Sequence, residues 1–169
     1  MTCYSLFTDV SLNPKTKIGM GAYLVLPDSY LETVVVNIDK NVIESKLKLK
    51  EFFNTSSTKL EVQTALLAID EFTKNYPIEK KPAFSLYTDS QCIIGLPGRR
   101  KKLEEKNYIS TSKNEIIKNA EIYKKFYECL DIYKFKLVKV VGHSPKASQE
   151  TVTRIFSIID RFVRKEFRQ

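Results

Sequence analysis

The sequence predicts an α/β domain built on a mixed five-stranded sheet flanked by helices, in the order βββαβαβα with one extra helical segment. Three observations predict it. Period-two and β-branched runs crowd the first third of the chain, and strand-like and helix-like runs alternate after it. Strands joined directly can meander antiparallel, whereas strands joined through a helix return parallel, so the sheet is mixed. At 169 residues and 43% hydrophobic composition, the chain is long enough for one domain over 1–169 with a sizeable core.

The elements follow in order. Residues 3–9 are strand-like, rich in aromatic and small hydroxyl side chains, and Asn13-Pro14-Lys15-Thr16-Lys17 is a turn. Residues 19–26 read as a second strand, stopped by Pro27-Asp28-Ser29. Thr33-Val34-Val35-Val36 is β-branched and expected to be extended. Residues 46–52 alternate polar and apolar, the pattern of a half-buried strand. Val62, Ala65, Leu66, Ile69 and Phe72 fall at helical spacing and predict a helix over 58–74. Pro77 and Pro82 bracket the connection to a strand over 83–89. A short helical stretch comes next, ended by Pro97-Gly98, and the basic segment 99–113 is expected to be polar and exposed. Ile116, Ala120, Tyr123, Tyr127 and Leu130 mark another helix, 135–141 a strand, and 142–150 a polar loop. Val152, Ile155, Phe156, Ile159, Phe162 and Val163 define the last helix.

Composition narrows the class. A net charge of +8 suits a polyanionic partner, or serves solubility alone. The charge is patchy: Arg99-Arg100-Lys101-Lys102 is continuous, and Arg161, Arg164, Lys165 and Arg168 load the last helix. No stretch approaches the roughly 18 apolar residues of a membrane helix. Met1-Thr2-Cys3-Tyr4 runs straight into a strand pattern, so no secretory signal is expected. Cys3, Cys92 and Cys129 are odd in number and lack metal-ligand spacing. A reduced, cytoplasmic protein without an obligatory protein partner, acting as a monomer, is therefore expected.

Four carboxylates and one histidine carry the chemistry. Asp9 and Asp89 lie where apolar strands give way to turn residues, the place where sites gather in open sheets. Each alone is also an ordinary strand-terminal aspartate. Glu61 opens a helix, where Thr58-Lys59-Leu60-Glu61 equally fits a capping box. Asp160 lies on the last helix, four residues before Arg164, which suits a surface ion pair. His143, the single histidine, sits in a Gly-His-Ser-Pro turn, placed to move protons or simply exposed. Brought together, these carboxylates repel one another unless divalent cations occupy the cluster.

The succession Thr8-Asp9, Gly19-Met20-Gly21-Ala22, Leu60-Glu61, Thr88-Asp89-Ser90-Gln91, Gly142-His143 and a final-helix Asp160 resembles type 1 ribonuclease H from about residue 5 onward. The resemblance implies a ribonuclease H-like fold and hydrolysis of the RNA strand of RNA–DNA hybrids with two Mg²⁺ ions, Mn²⁺ being a substitute. It makes Asp9, Glu61, Asp89 and Asp160 metal-binding and catalytic, and gives His143 a catalytic part in proton transfer or product release. It likens the segment from Arg99 to Asn119, with the helix after it, to a basic protrusion that grips the hybrid. Candidate contacts are Arg99, Arg100, Lys101, Lys102, Lys118 and Asn119 there, and Asn13, Ser57, Thr58 and Gln91 elsewhere.

The chain departs from the family pattern in places. Val10 follows Asp9 where a glycine is usual, and Ser57 and Thr58 replace asparagines. About ten residues around 30–40 look inserted, and the loop before Asp160 is long, so Asp131 and Glu150 are substitutes for it. The protrusion has no tryptophan, and Tyr108 and Tyr123 are its replacements. Two other readings remain: a non-catalytic nucleic-acid-binding module of the same fold, and a branched-DNA nuclease of the same superfamily. A small-molecule α/β enzyme is disfavoured, since no glycine-rich phosphate loop or nucleophile elbow is present.

Overall fold

Strand β1 (Tyr4–Asn13) and strand β2 (Ile18–Pro27) pair antiparallel from Tyr4↔Pro27 to Asn13↔Ile18 in a computed structural model that describes residues 2–141 and 150–168. Asn13 builds the turn between them, its Oδ1 accepting from the backbone N–H of Lys15 and Thr16. Strand β3 (Lys48–Phe52) adds antiparallel to β2, strand β4 (Phe84–Thr88) parallel to β1, and strand β5 (Lys136–Lys139) parallel to β4. The result is the expected mixed sheet of 5 strands, in the order β3-β2-β1-β4-β5.

Alternation along the strands sorts side chains onto two faces. Leu6 and Leu86 join Val62, Ala65 and Ile69 of helix α2 (Ser57–Thr73) and Tyr123, Phe126 and Tyr127 of helix α4 (Ala120–Tyr133). Phe7, Ala22, Leu24 and Leu26 join Ile155, Phe156, Ile159 and Val163 of helix α5 (Thr151–Phe167). Full burial of side chains like these stabilises by roughly 1.5–3 kcal/mol each. Among the described residues no helix is long and apolar enough to cross a membrane.

Four local expectations are corrected. Strand β1 does not end at Asp9 but continues to Asn13, because β2 goes on supplying a partner. Residues 33–36 are not a strand: Val35–Asn37 forms a 3₁₀ turn, leaving Val34 and Val36 exposed. β-Branching alone makes no strand without a neighbouring edge to pair with. The turn leads into a helix the periodicity does not announce, α1 (Lys40–Lys46), capped by Asp39 and burying only Ile43, too few positions for a stripe.

Helix α3 (Gln91–Glu105) runs through Pro97 instead of stopping there. The proline faces solvent, while Ile93 and Leu96 bury the inner face and the Tyr127 hydroxyl donates to the Leu96 carbonyl at 2.7 Å. Packing thus outweighs the roughly 3 kcal/mol a helical proline costs. Helix α4 starts at Ala120 and not at Ile116, which is held in a bridge to Ile109. Of the predicted polar loop over 142–150, residues 142–149, including His143, lie outside the described residues.

Candidate active site

Register brings the first two carboxylates together. Strands β1 and β4 pair in parallel from Tyr4↔Phe84 to Phe7↔Tyr87, and the same offset carried two residues further sets Asp9 level with Asp89. Both stand where β4 has ended and only β2 still flanks β1. Asp9 is 8% exposed, and its Oδ2 is buried with no hydrogen-bond partner among the described residues.

Glu61 arrives from α2, which lies unusually close to β2. A Cβ on Gly21 would stand 2.1 Å from Thr64 Oγ1, and one on Gly19 2.5 Å from Leu60 Cδ2. Only glycine leaves room for the first turns of α2 to settle on the sheet, which explains the Gly-x-Gly pattern. The capping box does not form. The N-cap is Ser56, Thr58 lies inside the helix, and Glu61 Oε2 accepts from the Ser90 hydroxyl.

Ser90 is not among the residues that sequence reasoning selects, yet it organises this corner. Its Oγ accepts from the Ile93 N–H at 3.2 Å, capping α3, while its own N–H donates to Thr88 Oγ1 at 3.0 Å. The signal available is a serine immediately before a helix, the ordinary mark of an N-cap. One hydroxyl therefore ties the start of α3, and with it Asp89, to Glu61.

Asp160 serves both readings. Its Oδ1 pairs with Arg164 Nε at 3.0 Å, and the carboxylate also stands close enough to act on Asp9. Burial, then the charge of Asp89, then that of Asp160 and contact with its carboxyl group push the Asp9 carboxyl up to about 8, against the opposing pull of the Val10 N–H. Two carboxylates share a hydrogen bond only when one takes up a proton, so ionised Asp9 leaves Oδ2 without a donor. Glu61 is raised as well, by burial foremost and by Asp89, with the Ser90 hydroxyl opposing.

Asp131 is not part of this cluster. It receives both terminal nitrogens of Arg100, at 2.6 and 2.8 Å. Among the described residues, no three acidic, histidine or cysteine side chains are grouped so as to hold a metal ion. Mg²⁺ keeps several waters and needs only one or two protein carboxylates, so a pair such as Asp9 and Asp89 is donor enough for it. The buried Oδ2 of Asp9, with no donor among the described residues, fits a cation.

The candidate nucleic-acid contacts divide. Ser57 and Lys118 line one groove, together with Lys17, Asn54 and Lys59, three polar residues that no sequence signal marks. Asn13 is not among the residues lining it, although its neighbours Leu12 and Pro14 are, and its side-chain oxygen is committed to the hairpin turn. Asn119 precedes α4 without a side-chain cap bond. Gln91, the first residue of α3, accepts from Lys139 Nζ on β5, another residue without a sequence signal.

The basic run lies within α3. Arg100 is held by Glu104 and Asp131, Arg99 covers the Tyr123 ring at 5.5 Å, and Lys101 and Lys102 are exposed. Tyr108 and Tyr123 are 7% and 5% exposed, so they are core residues of the protrusion and offer no open stacking face.

Comparison with known proteins fits this geometry. No curated protein matches the chain. The family model of RNase H, nucleases of RNA–DNA hybrids, matches residues 2–157, a span that holds Asp9, Glu61 and Asp89 and ends before Asp160. With its mixed sheet and most of its length matched, the chain belongs to the RNase H family.

Proposed function

We propose that this protein is a metal-dependent endonuclease that hydrolyses the RNA strand of RNA–DNA hybrids. One observation carries the reading: Asp9 is buried beside Asp89 and Asp160 with an oxygen that no donor among the described residues satisfies. A structural aspartate would be paired, whereas an unpaired buried carboxylate among like charges suits a cation.

Asp9, Glu61, Asp89 and Asp160 would hold two Mg²⁺ ions, with Mn²⁺ as a substitute. Bound there, the ions would ease deprotonation of water and neutralise charge on the scissile phosphate. The protein's own residues do the positioning. Ser90 holds Glu61 against the start of α3, so Glu61 and Asp89 keep a set separation. Burial and the neighbouring carboxylates favour a proton on Asp9, and a cation held there would favour the ionised form instead. The groove with Lys17, Lys59 and Lys118 offers ammonium groups to phosphates, and Lys101 and Lys102 are further exposed cations on α3. His143 is assigned the proton-transfer or product-release step.

The test is cleavage of matched RNA–DNA, RNA–RNA and DNA–DNA duplexes with Mg²⁺, with Mn²⁺ and with EDTA. Cleavage confined to the RNA strand of the hybrid and abolished by EDTA is expected. An intact hybrid in both metals overturns the proposal, and cutting of a four-way DNA junction in its place would make this a branched-DNA nuclease.

A further inference from the structure

We propose that Lys139 is a positioning residue: it locks the Gln91 amide with its NH₂ group toward the hybrid's minor groove, so that the protein disfavours guanine at the contacted pair. The proposal rests on the reading of Gln91 as a hybrid contact.

Lys139 is the last residue of β5 and pairs with Thr88, the last residue of β4. The next residue, Val140, donates its N–H to the Thr88 carbonyl at 2.8 Å, so the two strand ends are level. Asp89 and then the start of α3 follow at once from Thr88, which places Lys139 beside Gln91. The Ser90 cap fixes where α3 begins and so fixes the Gln91 backbone. Across this corner Lys139 Nζ donates to Gln91 Oε1.

Chemistry then decides which way the amide faces. An ammonium has three donors and no acceptor, so only the amide oxygen can meet it. Among the described residues nothing accepts from Gln91 Nε2, and both side chains are exposed. With Oε1 turned to Lys139, Gln91 leads with its Nε2 donors. A minor groove shows acceptors at adenine N3 and at pyrimidine O2, and only guanine adds a donor, its 2-amino group. A tip that leads with donors suits the first set and meets the guanine amine donor to donor. An unrestrained glutamine would turn its amide over and accept from guanine; Lys139 opposes that turn.

Inosine, which is guanosine without the 2-amino group, isolates this contact. The test compares binding of r(GA)₆·d(TC)₆ and r(IA)₆·d(TC)₆ hybrids in EDTA, where no cleavage is needed and the phosphates are identical. Wild type should bind the inosine hybrid about three- to tenfold more tightly, the scale of one hydrogen bond. Lys139→Met should bring the ratio near one, and Lys139→Arg, again all donor, should keep it. Gln91→Ala should erase the ratio, and adding Lys139→Met to it should change nothing further.

An unchanged ratio in Lys139→Met, with both affinities falling alike, would make Lys139 a phosphate contact and overturn the proposal. A wild-type ratio of one overturns it equally, and failure to bind either hybrid overturns it together with the reading of Gln91. A protein that shows the ratio and its disappearance in Lys139→Met, yet cuts no hybrid in Mg²⁺, upholds this contact and overturns only the nuclease reading.

Discussion

At the amino-terminal end of α3, Asp9 and Glu61 are buried beside the charge of Asp89, and Asp9 Oδ2 has no hydrogen-bond partner among the described residues. Further along the same helix, Arg100 meets Asp131 and Glu104, and each charge has its partner at 2.6–2.8 Å. In the first region the Asp9 and Glu61 carboxyl groups are raised, while in the second the guanidinium holds Asp131 below the usual carboxylate range. Paired charges at the surface organise the fold and contribute little. A buried carboxylate raised by like charges costs stability, and it persists where a ligand restores the balance. A basic run is therefore weaker evidence of binding than its charge suggests, and a small acidic cluster is stronger evidence.

The largest effect should come from breaking the acidic side of this contrast. Asp89→Asn is expected to lower hybrid cleavage by at least ~10²–10³-fold, the scale of losing one key electrostatic group. Hybrid binding should survive it, since the amide keeps the bulk and removes a repulsive charge. Glu61→Gln should be equally inactive but fully folded, because its amide oxygen still accepts from Ser90. Turnover near wild type in either variant would return that residue to a structural role.

Next is Gly21→Ala. The new methyl group would stand 2.1 Å from Thr64 Oγ1, whose hydroxyl is tied back to the Leu60 carbonyl. Helix α2 must shift, at a cost of about 1–3 kcal/mol, and Glu61 shifts with it. Activity should fall along with thermal stability. A stable and active variant would show that α2 does not need this closeness.

Asp9→Asn sharpens the comparison through pH. The folded Asp9 carboxyl sits at about 8, above its ordinary 3.8, so the metal-free folded state holds a proton that the unfolded chain gives up earlier. Stability that is intact below about 4 is lost as pH rises towards about 8. Asp9→Asn should remove that decline and stabilise the metal-free protein near pH 8 by about 1–3 kcal/mol. Mg²⁺ should flatten the wild-type curve, as it favours the ionised carboxylate. Melting curves in EDTA and in Mg²⁺ across this range read the outcome. Identical slopes for wild type and variant would mean that Asp9 does not govern the cluster.

The smallest effect concerns the basic side. Neutralising Arg99, Arg100, Lys101 and Lys102 together should weaken hybrid binding and reduce its salt dependence, by roughly 0.7–0.9 in log–log slope for each phosphate left unneutralised. Arg100 already has two carboxylate partners, so Arg100→Gln alone should hardly change the slope, whereas Lys101→Gln or Lys102→Gln should. A full-sized drop from Arg100→Gln would show that it leaves Asp131 to meet phosphate.

Local pattern by itself determined the strands with period-two alternation, the helical stripes of α2 and α5, and the positions of Asp9 and Asp89 in the chain. These depend on which side chains must leave water, and that is written in their spacing. Tertiary structure alone decided that Glu61 turns from its own helix cap to Ser90, since 29 residues separate the two. It decided likewise that Asp160 reaches Asp9 as well as Arg164, that Asp131 belongs to Arg100, and that Lys139 meets Gln91. The same holds for α3 continuing through Pro97, where burial of Ile93 and Leu96 overrides the proline. Local signals describe what a segment prefers when alone; register between strands, and helices packed across them, bring distant carboxylates and cations within reach, and no spacing along the chain encodes those distances.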